Sequence, residues 1–166
     1  KFVGGLRVTD KKSLKIVIRE LERLNQELVW KLKKLGGKAI GISGQDHKLI
    51  HVKQKDKTLG YVGSIDHINS TIIKTLIKDD YIPVVYPIGV GPREEAYNIN
   101  ADSVAASIAA SLKAEKLTMM TDVDGIFRAG KLIPNISVGK LDGMIEEGVI
   151  TGGMIPKVKA CRYALA

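Results

Sequence analysis

The sequence predicts an α/β fold, with a largely parallel sheet covered on both faces by helices. Three observations carry this reading. Short, continuously apolar runs at 39–42, 82–86 and 117–120 read as strands buried on both sides, because a sheet with one wet face would alternate. Between them lie stretches with apolar residues three or four apart, the spacing of helices with one buried face. The 166 residues are 45% hydrophobic and 27% charged, with Gly 17 and Pro 5, which suits residues 1–166 as a single domain with a sizeable core.

The elements follow in order. Thr9-Asp10 offers an N-cap, after which Leu14, Val17, Ile18, Leu21, Leu24, Leu28, Leu32 and Leu35 recur at helical spacing up to Gly36-Gly37, a glycine stop. Trp30 falls within this helix and reads as packing. Ala39-Ile40-Gly41-Ile42 is a buried strand emptying into the turn Ser43-Gly44-Gln45-Asp46. Residues 49–54 and 58–62 flank Lys55-Asp56-Lys57 as a β-hairpin. Asn69-Ser70 can cap a helix carrying Ile72, Ile73, Leu76 and Ile77, and Ile82-Pro83-Val84-Val85-Tyr86 is the next strand. Residues 101–114 form a helix rich in alanine with Val104, Ile108 and Leu112 four apart. Residues 117–120 are a third buried strand, and helices over 141–147 and 154–166 close the chain.

Lys+Arg 26 against Asp+Glu 18 gives a net charge of +8, which by itself invites a nucleic-acid reading. The distribution opposes it: much of the excess lies at 11–38, off the apolar face of a helix, and at 48–57, without interleaved aromatics. A solvated basic surface, then an acidic or phosphorylated small substrate, are the better accounts. One cysteine, Cys161, cannot pair within the chain and reads as a small buried hydrophobe. No apolar run reaches the roughly 18–20 residues of a membrane span, so a soluble protein is expected. His47, His51 and His67 lack metal-ligand spacing and read as polar surface or loop residues.

In α/β sheets, ligands gather beyond the carboxyl ends of the strands. Three such ends carry polar, glycine-containing loops, at 43–46, 89–100 and 121–125. Each alone reads as a tight turn; three together point to a site. There is no GxxxxGK[ST] loop, and Gly89-Val90-Gly91 lacks the third glycine of a dinucleotide fingerprint. Gly152-Gly153-Met154-Ile155-Pro156-Lys157 leaves backbone N–H groups bare at a helix start, with a lysine about one turn in; it is either an anion site or a glycine-rich start with a surface lysine. Asp102 sits in a first helical turn, where it either complements the helix dipole or orients lysines or a metal-bound phosphate.

Eight blocks then combine. Gly5-Leu6-Arg7-Val8-Thr9-Asp10, Gly41-Ile42-Ser43-Gly44-Gln45-Asp46, Leu59-Gly60-Tyr61-Val62-Gly63, Tyr81-Ile82-Pro83-Val84-Val85, Pro87-Ile88-Gly89, Tyr97-Asn98-Ile99-Asn100-Ala101-Asp102, Thr121-Asp122-Val123-Asp124-Gly125 and Gly152-Gly153-Met154-Ile155-Pro156-Lys157 occur in the order and spacing of the amino acid kinase family. The chain resembles that family along its whole length, and within it the enzymes that act on N-acetyl-L-glutamate.

The resemblance implies a three-layer αβα sandwich with a mainly parallel central sheet. It implies transfer of the γ-phosphoryl of ATP, with Mg2+, to the side-chain carboxylate of N-acetyl-L-glutamate, giving an acyl phosphate in arginine biosynthesis. Arg7 and Asn98 would bind the α-carboxylate side of the amino acid, Asp102 would position the catalytic lysines, and Lys157 would stabilise the transferring phosphoryl. Thr121-Asp122-Val123-Asp124-Gly125-Ile126 and Val149-Ile150-Thr151 match the nucleotide-binding stretches. A homo-oligomer in the cytoplasm, or in a plastid after processing, with no nucleic-acid or membrane partner, completes the expectation. Family members carry an upstream strand and glycine loop with a second catalytic lysine, which Lys1 is not, and continue beyond Ala166. The fold is therefore expected to be incomplete at both ends, and these 166 residues alone to be inactive. The rivals are a kinase of the same family acting on carrier-linked aminoadipate, to which the +8 charge would suit an acidic carrier, and a non-catalytic nucleotide- or amino-acid-sensing module of the same fold.

Overall fold

A computed structural model describes the backbone of residues 2–3 and 6–7 and all of residues 8–165; Lys1, Gly5, Ala166 and the side chain of Arg7, invoked above, lie outside the described residues. The chain divides into two compact units, the first ending at Val104 and the second beginning at Ala105.

The first unit opens with β1 (Phe2–Val3) and β2 (Leu6–Arg7), paired antiparallel. Helix α1 (Lys11–Lys34) starts where the sequence places it: the Asp10 carboxylate accepts the Ser13 N–H at 2.7 Å, satisfying a donor that the helix cannot pair internally. It stops at a Schellman turn, with Gly36 at φ +87° and the N–H groups of Gly36 and Gly37 donating to the carbonyls of Lys33 and Leu32. Trp30 is not packing: it is 59% exposed, and the Lys34 ammonium stands 5.3 Å from its ring centre. At 3.6 residues per turn, Trp30 lies on the far side of the helix from Leu14, Leu21, Asn25 and Leu32, so hydrophobicity alone cannot bury it.

Strands β3 (Ala39–Ser43) and β6 (Ile82–Tyr86) pair in parallel, Ala39 opposite Ile82 through Ser43 opposite Tyr86, and α1 packs on both. Asn25, buried in α1, donates its amide to the Val84 carbonyl at 2.7 Å across Gly41, where a Cβ would stand 1.9 Å from the Asn25 Oδ1. A polar tie thus fixes where the helix sits on the strands.

A second sheet has the order β5-β4-β7-β8, from β4 (Ile50–Gln54), β5 (Gly63–Ile68), β7 (Ile88–Val90) and β8 (Ala96–Asn98). Its β4–β7 pairing is parallel and the other two are antiparallel. Strand β5 begins at Gly63 rather than at residue 58. Asp56 accepts both the N–H and the hydroxyl of Thr58 and winds 57–59 into a 3-10 turn, a local bond that competes with strand pairing. Between β5 and β6, α2 (Thr71–Lys78) packs on β6. Its start is held by Asn69, whose Oδ1 accepts the Thr71 N–H and hydroxyl, while Ser70 makes no side-chain cap.

Helix α3 (Ala101–Leu112) runs through the boundary, with Val104, Ala106, Ser107 and Ala109 buried. Beyond it, the expected strand at 117–120 does not form. Those residues join no ladder, and Met120 is 86% exposed. An apolar run supplies a tendency, but a strand needs a second backbone to complete its hydrogen bonds. The second unit instead holds a hairpin of β9 (Phe127–Arg128) and β10 (Lys131–Leu132), turned by Ala129 and Gly130 at φ +50° and +76°, then α4 (Leu141–Glu146) and α5 (Met154–Ala164). Leu141, Met144, Ile150 and Val158 form its core, with Ile126, Ile133, Ile136, Ile145, Val149, Met154 and Ile155 packed around them. Cys161 is half-buried rather than buried. No helix among the described residues is long and apolar enough to cross a membrane.

Candidate active site

In the first unit the site grows from β8. Asn98 ends that strand, paired with Ile88 of β7, and its N–H donates to the Tyr61 carbonyl at 2.9 Å. Its side-chain amide donates to the Thr9 hydroxyl at 3.4 Å. Thr9 is wholly buried and clamped on both sides, its N–H donating to the Leu59 carbonyl at 2.9 Å and its carbonyl accepting the Tyr61 N–H at 2.7 Å. Gly60 makes the clamp possible. It sits at φ +69°, and a Cβ there would stand 2.4 Å from the Thr9 carbonyl oxygen.

The consequence concerns two residues far apart in sequence. Arg7 closes β2 two positions before Thr9, so the clamp brings the Arg7 backbone segment to Asn98. Asn100 next caps α3, its Oδ1 accepting the Ser103 N–H at 3.0 Å, which places Asp102 in the first turn, half-buried, four residues beyond Asn98. Arg7, Asn98 and Asp102 therefore sit on one connected frame. Thr9 and Tyr61 are the residues that sequence reading missed. Their signal was the Leu59-Gly60-Tyr61 block, noted without a role.

The loops at 43–46 and 89–95 are satisfied internally. The Asp46 carboxylate accepts the Ser43 N–H at 2.7 Å, and the Ser43 hydroxyl accepts the Gln45 and Asp46 N–H groups. The Glu95 carboxylate accepts the Arg93 N–H at 2.8 Å and the Tyr97 hydroxyl at 3.1 Å, and burial with that carboxylate pushes the Tyr97 phenol above its usual range. Both loops are folded as turns.

The second unit gathers the remaining candidates. Ile126 packs on the core that contains Ile150, with Val149 beside it and with Met154 and Ile155 from the first turn of α5. The Val149 and Ile150 N–H groups both donate to the Met144 carbonyl at 3.0 Å. Thr121, Asp122, Val123, Asp124 and Thr151 are exposed, and Lys157 is half-buried near the start of α5. Ile150 is 1% exposed and its side chain is core. Gly152, at φ +52°, and Gly153 open α5 with space where side chains would stand, and no side chain caps the helix. The sequence expects bare N–H groups here, but those of Met154 and Ile155 donate to the Thr151 and Gly152 carbonyls at 3.1 and 3.3 Å and Pro156 has none, so an anion such as a phosphate has only the glycine backbone ahead of the helix and Lys157 to meet it. Arg162 donates to both oxygens of Asp142, at 2.5 and 2.7 Å, tying α5 to α4. Among the described residues no three His, Cys, Asp or Glu side chains gather into a metal cage.

Comparison with known proteins adds the lineage. Residues 2–166 match the amino acid kinase family. The chain is 45% identical, over 99% of its length, to the acetylglutamate kinase of Moorella thermoacetica, and 49% identical, again over 99%, to that of Caldicellulosiruptor bescii. It spans about 60% of the length of the curated relatives it matches. The crystal structure of smu.665 from Streptococcus mutans superposes with a TM-score of 0.92 at 32% identity, covering 99% of this chain and 68% of that one.

Proposed function

This chain belongs to the amino acid kinase family, and we propose from that premise that the protein carrying it phosphorylates the side-chain carboxylate of N-acetyl-L-glutamate with ATP. The product is an acyl phosphate on the route to arginine. The observation that carries this reading is the 43–49% identity, over nearly the whole chain, to relatives named for that activity. The chemistry agrees with the residues. A carboxylate nucleophile is ionised at neutral pH and needs no general base, so the work left is positioning and cationic stabilisation.

Arg7 and Asn98, on the frame clamped through Thr9, hold the α-carboxylate side of the amino acid. Thr121-Asp122-Val123-Asp124-Gly125-Ile126 and Val149-Ile150-Thr151 bind the nucleotide, Ile150 through its backbone because its side chain is buried. Lys157 meets the charge on the transferring phosphoryl, and Asp102 organises that lysine. Mg2+, when bound with ATP, would neutralise phosphate charge beside the residues that hold the nucleotide. The protein is a homo-oligomer of the cytoplasm: Leu24, Leu28 and Leu35 leave an exposed apolar edge along α1, 47%, 44% and 84% accessible, of the kind that a second subunit covers.

The test uses the full-length protein. ATP consumption should require N-acetyl-L-glutamate and yield a product that hydroxylamine traps as the hydroxamate. Turnover with carrier-linked aminoadipate and none with acetylglutamate would overturn the assignment.

A further inference from the structure

The outward face of the β4–β5 hairpin carries a charge cluster outside the proposed active site. His51 and His67 are register partners on adjacent strands, their rings stacked with centroids 4.0 Å apart and planes 14° from parallel. The register then slips: His51 pairs with His67 but Val52 with Ile65, so Asp66 is an extra, bulged residue. A β-bulge breaks the strict alternation of faces. Asp66 and His67, consecutive in sequence, are accordingly both exposed, while Ile65 and Ile68 on either side are less so. Asp66 serves two neighbours: it pairs with the Lys53 ammonium, and its Oδ2 lies 3.1 Å from the His67 Nδ1.

The charged groups around His51 can be counted. His67 and Asp66 come from β5, Lys53 from β4 itself, and Lys48 from the turn before β4, with Lys48 drawn toward Glu94 at 3.0 Å. Among the described residues the carboxylate close to the rings, Asp66, already balances Lys53. The Asp66 carboxylate lies against the His67 ring, whereas a proton on His51 would face that ring at stacking distance with no carboxylate of its own among the described residues. Burial and the neighbouring His67 and Lys48 accordingly hold the His51 imidazole below its ordinary range.

We propose that this stacked pair is a proton-sensitive clamp on the β4–β5 hairpin, closed while His51 is neutral and loosened when His51 takes up a proton against its stacked neighbour. The hairpin frames the loop that supplies Leu59 and Tyr61 to Thr9, so the clamp lies at the base of a segment whose backbone holds the candidate site. The sign follows from linkage. His51 is neutral in the fold at pH values where the unfolded chain, titrating near 6.5, already binds a proton. The stabilisation is complete above that value and declines as pH falls through it.

Hydrogen exchange on the full-length protein, at about pH 7.5 and about pH 5.5 and corrected for intrinsic rates, reads the clamp directly. Opening of the amides at 50–54 and 63–68 should rise several-fold at the lower pH and by no more than about tenfold, the ceiling for a group that titrates near 6.5 in the unfolded chain and stays neutral in the fold. The β3–β6 amides should not follow. In His51→Gln and in His67→Gln the rise should disappear, and equal rises in the wild type and both variants would overturn the proposal. Imidazole NMR of the unmodified protein gives a second reading, independent of how the variants fold: a His51 titration displaced below the ordinary imidazole range supports the clamp, and one at the ordinary value refutes it.

Discussion

The two units hold their candidate residues by different physics. Around Asn98 the frame is hydrogen-bonded: a strand pairing, the Tyr61 and Leu59 backbone, a buried threonine and the Asn100 cap fix the chain residue by residue. Around Lys157 the frame is apolar. Ile126, Val149, Ile150, Met154 and Ile155 gather on one cluster, while Thr121, Asp122, Asp124 and Thr151 are exposed on the adjoining loop segments. Directional bonds fix positions closely and suit recognition of a group that does not change in the reaction. An apolar cluster anchors its loops without fixing each atom, which suits contacts that form as charge moves. Arg7 and Asn98 should therefore govern binding of the amino acid, and Lys157, with Asp102, turnover.

The largest expected effect tests the second half of that contrast. In the full-length enzyme, Lys157→Met should lower the turnover number on the order of 10²–10³ while weakening ATP binding much less, the loss of one preorganised charge contact. Asp102→Asn should cost a similar factor by misplacing the lysine, and the double variant little more than either single one. Losses that multiply cleanly in a double-mutant cycle at saturating substrates would show independent residues and remove Asp102 from its organising role.

Next in size is the apolar anchor. Ile150→Ala should destabilise the protein by about 2–4 kcal/mol in denaturant titration, the cost of an unfilled cavity at a site 1% exposed. ATP should recover part of that loss by binding only the folded form. An unchanged midpoint would mean that the cluster does not hold the second unit together.

Arg7→Lys sharpens the first half. A point charge lacks the guanidinium fork, so the Michaelis constant for the amino acid should rise about ten- to a hundredfold with turnover nearly intact. A collapse of turnover at constant Michaelis constant would make Arg7 a transition-state residue and erase the contrast.

Thr9→Val is the mildest. It keeps the shape and deletes the hydroxyl that Asn98 reaches, so amino-acid affinity should fall by a few-fold, as for one neutral hydrogen bond of about 1 kcal/mol, with ATP affinity unaltered. Equal losses for both substrates would show that Thr9 supports the fold generally rather than the amino-acid side.

What the sequence settled by itself was whatever depends on neighbours along the chain. Helix α1 is the clearest case: its Asp10 cap, its apolar spacing and its Gly36-Gly37 stop involve contacts a few residues apart, and all three read correctly. The order of the eight blocks likewise carried the family. What only the tertiary structure decided depends on a second piece of chain. Whether 117–120 becomes a strand turns on a backbone to pair with, whether Trp30 is buried turns on what lies across that side of α1, and the Arg7 segment meets Asn98 only because Leu59 and Tyr61 grip Thr9 from about fifty residues away. The histidines make the same point: 51 and 67 look unrelated along the chain, and strand register with one bulged residue stacks their rings. Local bonds need only the right residue at a short offset, whereas pairing and burial need a partner whose position is set by the rest of the fold.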